Sequence, residues 1–253
     1  MLFLVIDDDE LSRELLAMLI GAEGHEVEVA ASGEEALARL NAAGEPLPDV
    51  VLSDMQLPGV SGDALAKGLR GASGGKARLL AMSGSQPAEA MLRGFDGFLL
   101  KPFSMEDLDT AFAETQKGIE VFAAGNGASE GRDDSNVPAL NEDIYAKMAK
   151  MMPGTQLGEM YAMCLADARK RLAQLVTLAE AGDDDGFRRT AHTVKGGCGM
   201  IGATELYSLA EAAERDGLAQ ILGQAVGTSR VTTLLQRFSH ACDRLERILG
   251  ERM

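Results

Sequence analysis

Short apolar runs of strand length alternate with segments of helical periodicity over residues 1–118. The apolar runs lie at residues 2–6, 27–30, 50–52, 79–82 and 98–100. Apolar residues recur at helical spacing over 11–22, 34–41, 64–69, 87–93 and 105–118. Because right-handed crossovers place helices on both faces of a parallel sheet, this alternation predicts a doubly wound α/β domain with five parallel strands.

The pattern changes after residue 120. Residues 121–137 are rich in Gly, Ser, Asn and Asp without periodicity, which predicts a flexible linker. From residue 138 onward the strand pattern is absent, and helices are predicted near 139–151, 155–181, 184–200, 203–217 and 229–250. The chain is therefore predicted to contain an α/β domain at 1–120, a linker at 121–137 and an all-α helical bundle at 138–253.

The amino-acid composition argues against nucleic-acid partners and membrane insertion and favours a reduced compartment. Acidic residues outnumber basic ones 39 to 24, for a net charge of −15, and no basic cluster is present, so nucleic-acid binding is not expected. The longest apolar runs are far shorter than a membrane span, so no membrane insertion is expected. The three cysteines lack the pair spacings of zinc or redox sites, which favours a reduced, cytoplasmic protein.

Chemistry-bearing residues follow the predicted strands of the α/β domain. Asp7, Asp8 and Asp9 follow the first strand, and Asp54, Ser83 and Lys101 end or follow later ones. Ligands bind at the carboxyl ends of strands in such sheets, and converging carboxylates attract a hard dication such as Mg²⁺. A metal, a nucleophilic carboxylate, a hydroxyl and an ammonium are the parts that phosphoryl transfer requires.

Four sequence blocks in this half are similar to a known family. The blocks FLVIDDDE, DVVLSDMQLPGVSG, LLAMSG and FLLKPF resemble, in this order, the flavodoxin-like receiver domain of response regulators. The resemblance implies that Asp54 accepts the phosphoryl group. It also implies that Asp8, Asp54 and the backbone carbonyl of Gln56 bind Mg²⁺, with Asp7 acting through a water molecule.

The same resemblance assigns roles around the phosphoryl group. It implies that Ser83 and Lys101 bind the phosphoryl oxygens, that the Lys101–Pro102 peptide is cis, and that Phe98 is the switch aromatic. A competing class, the metal-dependent aspartyl phosphatases, also uses a strand-end aspartate and Mg²⁺. That class carries its nucleophile on the first strand in an Asp-x-Asp pattern followed by Thr, whereas this chain continues with Glu10, Leu11 and Ser12.

A second group of residues lies in the helical half. In the segment RRTAHTVKGGCGMIG, helical spacing places His192 on one face with Lys195, Gly196 and Gly199. Glycines weaken a helix, so their presence here suggests a surface that admits a partner closely. Lys195 could compensate the charge of a phosphoryl group on the imidazole, and we expect Gly196 and Gly199 to form the docking surface.

This helix resembles the acceptor segment of histidine phosphotransfer (HPt) domains, whose pattern reads A-H-x-[LV]-K-G-[SG]. The resemblance implies a four-helix bundle with an additional N-terminal helix, His192 as phosphoacceptor and no catalysis of its own. The expected function is a two-component phosphorelay component, a carrier rather than an enzyme, since no kinase ATP-binding block is found. The expected partners are sensor histidine kinases or other receiver domains. The alternative is a receiver-gated docking module whose bundle transfers nothing.

Overall fold

A computed structural model describes residues 1–84, 87–113, 121–123, 137–222 and 227–252. The chain forms two compact units, Met1–Ala128 and Ser129–Met253. In the parts of the chain that the structure describes, every helix is too short or too polar to cross a bilayer.

The first unit contains a parallel sheet, which confirms the predicted α/β class. Its strands are β1 (Leu2–Ile6), β2 (Glu26–Ala30), β3 (Val50–Asp54), β4 (Arg78–Ser83), β5 (Gly97–Leu100) and β6 (Val121–Ala123). The order in the sheet is β2-β1-β3-β4-β5-β6, and all pairs are parallel. Strands β1, β3 and β4 are apolar along most of their length because both faces are covered.

Four helices cover the sheet: α1 (Glu10–Ala22), α2 (Gly33–Leu40), α3 (Gly62–Ala72) and α4 (Met105–Ala113). Helix α1 packs on β1 and β2, and α4 packs on β5 and β6. Apolar residues of α2 and α3 form a core cluster with alternate residues of β1, β3 and β4. The sheet therefore lies between helices, and ligands of such sheets bind at the carboxyl ends of the strands.

Two sequence predictions in this unit need correction. The sheet has a sixth strand, because Val121–Ala123, placed in the predicted linker, pairs with β5; residues 124–136 of that linker lie outside the described residues. The α-helix predicted at 87–93 is only a 3-10 turn, Glu89–Leu92. Its N-cap, Ala88, offers no side-chain hydrogen bond, and Gly94 (φ 89°) follows it, so the segment lacks the length to sustain an α-helix. The last predicted helix, 105–118, is described only as far as Ala113.

The second unit is helical, as predicted. Its helices are α5 (Glu142–Met151), α6 (Gly154–Ala181), α7 (Asp184–Met200), α8 (Thr204–Leu222) and α9 (Gly227–Gly250). Helices α6 to α9 pack in a closed cycle, each against the next and α9 against α6, while α5 packs on α6. This is a four-helix bundle with one additional N-terminal helix.

The ends of α6 and α7 show why the chain turns where it does. Gly182 ends α6 in the left-handed conformation (φ 70°), which glycine adopts without steric cost. Asp183 then caps α7 by accepting a hydrogen bond from the Gly186 amide at 2.9 Å. The cap sets the start of the helix that carries His192.

Candidate functional site

The carboxyl edge of the sheet brings the strand-end residues together. In the parallel register Ile6 lies beside Ser53, and Asp54 lies beside Met82. The Lys101 amide donates to the Ser83 carbonyl at 2.8 Å, which continues the pairing of β4 with β5 beyond the strand end. Parallel strands end at the same edge, so Asp7, Asp54, Ser83 and Lys101 share one pocket.

Lys101 lies at the centre of this pocket and is buried. Its Nζ donates to Asp7 Oδ2 and to Asp54 Oδ2, each at 2.6 Å. Burial alone would lower the pKa of Lys101, but the charges of Asp7 and Asp54 outweigh it and raise that pKa. The ammonium therefore bridges two of the predicted functional carboxylates. The Lys101–Pro102 peptide is cis, which confirms the expectation from the resemblance.

Asp7 is 1% exposed and is surrounded by donors. Besides Lys101, the Ser12 hydroxyl donates to its Oδ2 at 2.7 Å, and the Asp9 amide donates to its Oδ1 at 2.9 Å. Burial would raise the pKa of Asp7, but Lys101 and the other hydrogen bonds lower it further than burial raises it. Asp7 is therefore held as a buried carboxylate.

Asp8 lies at the rim of the pocket and is exposed. Partial desolvation and the negative charges of Asp7, Asp54 and Asp9 raise the pKa of Asp8. Mutual repulsion among carboxylates is what a bound cation would relieve, so the donor set fits a hard dication such as Mg²⁺. Among the described residues no three acidic, histidine or cysteine side chains are already arranged around one ion. Here the Lys101 ammonium provides the positive charge between two of the carboxylates.

Asp54 ends β3, and the loop after it is held from two directions. The Gln56 amide donates to Asp54 Oδ1 at 2.7 Å, so the loop turns back on the carboxylate and Gln56 lies beside it. From α2, Glu34 Oε1 accepts a hydrogen bond from the Val60 amide at 2.9 Å. That hydrogen bond is the first of the causes that lower the pKa of Glu34. A Cβ on Gly59 (φ 74°) would overlap the Glu34 carboxylate, so the loop requires glycine there.

Two further predicted residues are buried. Ser83 ends β4 and is 3% exposed. Phe98, on β5, is fully buried in the core cluster with Leu92, Phe95 and residues of α3. Packing in the core is therefore enough to explain an aromatic residue at this position. The role of Phe98 as a switch stays a prediction.

The second site lies between α7 and α8 of the bundle. His192 Nδ1 lies 2.6 Å from Glu214 Oε1, and Lys195 Nζ lies 2.5 Å from Glu214 Oε2. Partial burial would raise the pKa of Glu214, but His192 and Lys195 outweigh it and lower that pKa to about 2. One carboxylate therefore holds both residues that the sequence assigned to phosphoryl chemistry.

The bonding of Glu214 sets the tautomer of the imidazole. An ionised carboxylate is an acceptor only, so the proton of a neutral His192 lies on Nδ1. Nε2 then carries the lone pair. The His192 side chain is 24% exposed, so a partner can reach it.

The two predicted docking glycines differ in their surroundings. Gly196 is partly exposed, and a Cβ built on it meets no heavy atom within 4 Å, so the space beside it is open. Gly199 is buried within the bundle. The docking role assigned to both stays a prediction, and Gly196 is the one of the two with accessible surface.

The turn of α8 that carries Glu214, just before a break in the helix, is hydrogen-bonded to α7. Arg188, one turn before His192, donates to the carbonyls of Glu214 at 2.6 Å, Arg215 at 2.8 Å and Asp216 at 3.1 Å. At Gly217 (φ 58°) the helix is interrupted, and a Cβ there would overlap the Arg188 guanidinium. Arg188 thus satisfies carbonyls at the break and fixes Glu214 relative to His192.

Ser12, Glu34 and Glu214 are functional candidates that sequence reasoning missed. Ser12 offered one weak signal, a hydroxyl among the leucines on the buried face of α1. Glu34 and Glu214 offered none, because each meets its partner through a contact 22 or more residues away along the chain.

Comparison with family models matches both halves of the chain. Residues 3–113 match the response regulator receiver domain, and residues 159–249 match the Hpt domain. Among curated proteins, the sensor histidine kinase AruS of Pseudomonas aeruginosa is 25% identical over 235 residues, which cover 90% of this chain and 21% of AruS. The two-component response regulator PhoP of the same species is 35% identical over 114 residues, 43% of this chain and 48% of PhoP. The chain thus spans less than half the length of these relatives.

Two solved structures align with less than half of the chain. The chemotaxis response regulator CheY4 of Vibrio cholerae is 28% identical and aligns over 44% of this chain and 97% of its own, with a TM-score of 0.38. The response regulator TrrA of Thermotoga maritima, solved in complex with Mg²⁺-BeF, is 28% identical and aligns over 45% of this chain and 97% of its own, with a TM-score of 0.40.

Proposed function

The chain joins a response regulator receiver domain to an Hpt domain, and we propose that it carries phosphoryl groups on Asp54 and His192 as a component of a two-component phosphorelay. One observation in each unit supports the proposal. In the first unit Lys101 binds the carboxylate of Asp54, and in the second Glu214 orients His192 on the helix that carries the open Gly196. We place the receiver domain at 1–123, because β6 belongs to its sheet, and the Hpt domain at 138–253, with residues 124–137 between them as the linker. Sensor histidine kinases and other receiver domains are the proposed partners.

At the receiver site, one carboxylate oxygen of Asp54 attacks the phosphorus of a donor, and the bond from phosphorus to the donor's leaving group breaks. Lys101, already 2.6 Å from Asp54, moves its ammonium onto a phosphoryl oxygen, and the Ser83 hydroxyl binds another. Mg²⁺, held by Asp8, Asp54 and the Gln56 carbonyl with Asp7 behind them, would supply charge neutralisation of the phosphoryl oxygens when bound.

At the Hpt site, Nε2 of His192 attacks the phosphorus of an aspartyl phosphate on a receiver. The P–O bond breaks, a P–N bond forms, and the aspartate leaves as a carboxylate. Nε2 has no proton to lose, because the ring proton is on Nδ1. Nδ1 donates a hydrogen bond to the Glu214 carboxylate. Glu214 also stabilises the positive charge that develops on the ring, and Lys195 lies one turn along the helix to compensate the transferred group.

The chain acts as a phosphoryl carrier rather than as a kinase. The receiver assists its own phosphorylation, and the bundle contributes an oriented nucleophile. The three cysteines are free and buried, which supports a reduced compartment such as the cytoplasm.

Phosphate labelling of the full chain tests the proposal. A small acyl phosphate with Mg²⁺ should give an acid-stable label that Asp54→Asn removes. A phosphorylated partner receiver should give an acid-labile, base-stable label that His192→Gln removes, since a partly exposed helix position tolerates a polar residue of similar size. Equal labelling of either variant and the unaltered protein would refute the corresponding assignment. A bundle that never accepts phosphate would instead favour the non-transferring docking module.

A further inference from the structure

The Ser12 hydroxyl forms a hydrogen bond with a residue of the receiver pocket rather than with its own helix. It lies in the first turn of α1 and is 8% exposed. Its amide is already capped by Asp9 Oδ1 at 2.9 Å, while its Oγ donates to Asp7 Oδ2 at 2.7 Å. The other buried α1 positions are leucines and an isoleucine, so packing alone does not require a hydroxyl there.

Asp7 Oδ2 receives two hydrogen bonds, one from Ser12 and one from Lys101. In the proposed function Lys101 leaves Asp7 when it binds a phosphoryl oxygen. A buried carboxylate oxygen that loses its donor is costly, and Asp7 is 1% exposed. The Ser12 hydroxyl can stay in place during this exchange because it does not contact the reacting group.

We infer that Ser12 is a positioning residue that keeps the buried carboxylate oxygen of Asp7 hydrogen-bonded while Lys101 moves to the phosphoryl group, and so makes Lys101 available. This inference rests on the proposed receiver function. Without the hydroxyl, Asp7 would depend more strongly on Lys101, and the ammonium would be released at a greater cost. Removal of the Ser12 hydroxyl should therefore weaken the step in which Lys101 moves from Asp7 to the phosphoryl group.

Beryllofluoride is a probe for that step, because it resembles a phosphoryl group on a carboxylate. We would titrate it into the full chain at saturating Mg²⁺ and follow binding by calorimetry and by ¹⁹F NMR. The variants are Ser12→Ala, Ser12→Thr and Ser12→Val. Thr and Val form a matched pair of nearly equal shape, of which only Thr donates a hydrogen bond.

Loss of the hydroxyl in Ser12→Ala and Ser12→Val should weaken beryllofluoride binding by about tenfold to hundredfold, as expected for one buried hydrogen bond to a charged group. Ser12→Thr should bind within about twofold of the unaltered protein, since the donor is retained. Mg²⁺ affinity, measured separately, should change less than beryllofluoride affinity. Equal binding by the Thr and Val variants would overturn the inference, whether both bind well or both bind poorly.

A double-mutant cycle separates positioning from general stability. In the Lys101→Ala background there is no ammonium to release, so Ser12→Ala should cause no further loss of beryllofluoride affinity. An equal loss in both backgrounds would assign Ser12 a merely structural role and overturn the inference. If the unaltered protein failed to bind beryllofluoride, the proposed receiver function would fall, and this inference with it.

Discussion

Glu214 should control both the reactivity of His192 and the acid stability of the bundle. Its carboxylate bonds His192 at 2.6 Å and Lys195 at 2.5 Å. Glu214→Gln keeps the size of the side chain but removes the charge. The amide can also donate to Nδ1, which would shift the ring proton to Nε2 and block the nucleophile.

The size of the effect of Glu214→Gln on stability and on the transfer rate follows from the lowered pKa of Glu214. A fall from 4.5 to about 2 corresponds to about 3 kcal/mol at about 1.4 kcal/mol per pKa unit. The side chain is 27% exposed, and solvent screening reduces this interaction to about 1–2 kcal/mol, shared between His192 and Lys195. About 1 kcal/mol assigned to His192 predicts a transfer rate slower by about fivefold to tenfold in Glu214→Gln.

The pH dependence has a defined sign. Folding lowers the pKa of Glu214, so its stabilising contribution is complete above pH 4.5 and is lost as the pH falls from 4.5 towards 2. Glu214→Gln should therefore be less stable than the unaltered protein by about 1–2 kcal/mol at pH 7, and the two stabilities should converge only as the pH falls to about 2.

Two assays check these results on the full chain. Transfer from a phosphorylated partner receiver gives the rate. Urea unfolding followed by tyrosine fluorescence gives the stability of the bundle alone, because the chain has no tryptophan and its three tyrosines, Tyr145, Tyr161 and Tyr207, all lie in the second unit.

The matched control is Glu211→Gln, one turn earlier on α8. Glu211 accepts a hydrogen bond from the Tyr207 hydroxyl at 3.4 Å, so the variant removes one carboxylate from α8 without removing the bond to His192. Its transfer rate should equal that of the unaltered protein. Equal rates in the Glu214 and Glu211 variants, or a stability difference that persists at pH 2, would refute the reasoning.

Three further outcomes are expected. Lys101→Ala should impair receiver phosphorylation while retaining Mg²⁺ affinity, whereas Asp8→Ala should lose that affinity. NMR titration with Mg²⁺ distinguishes the two variants, and an equal loss of affinity in both would contradict the division of roles between Lys101 and Asp8. Gly196→Leu should slow transfer to His192 by at least about tenfold through steric exclusion without unfolding the bundle, as transfer kinetics and circular dichroism can show. Gly217→Ala should destabilise the bundle by about 1–3 kcal/mol in urea unfolding, because the residue has positive φ and its Cβ would overlap a guanidinium; an unchanged midpoint would contradict the clamp.

The strand-end residues could be predicted because chain direction alone places them. In a parallel sheet every strand runs the same way, so residues that follow the apolar runs must meet at one edge. The positions of three strands were therefore enough to predict that Asp7, Asp54 and Lys101 lie close together. In the structure Lys101 contacts both aspartates. His192 was recognisable because its neighbours lie within two turns of one helix.

Weak or short elements were harder to predict. Residues 87–93 have helical periodicity but form a single 3-10 turn, since a short segment without a capping side chain gains too few hydrogen bonds to offset nucleation. Strand β6 lies in a segment without alternation and exists because the edge of β5 offers unpaired backbone groups. Tertiary context decided both.

The sequence by itself determined the two architectures, the acidic edge with Asp54 and Lys101, and the position of His192 on one helix face with Lys195, because these depend on periodicity and on neighbours close along the chain. Only the tertiary structure decided which side chains hold those groups. Ser12 meets Asp7 because α1 packs on β1, and Glu214 meets His192 because α8 packs on α7. Helix packing angles and rotamers set such contacts, and no spacing within one element encodes them.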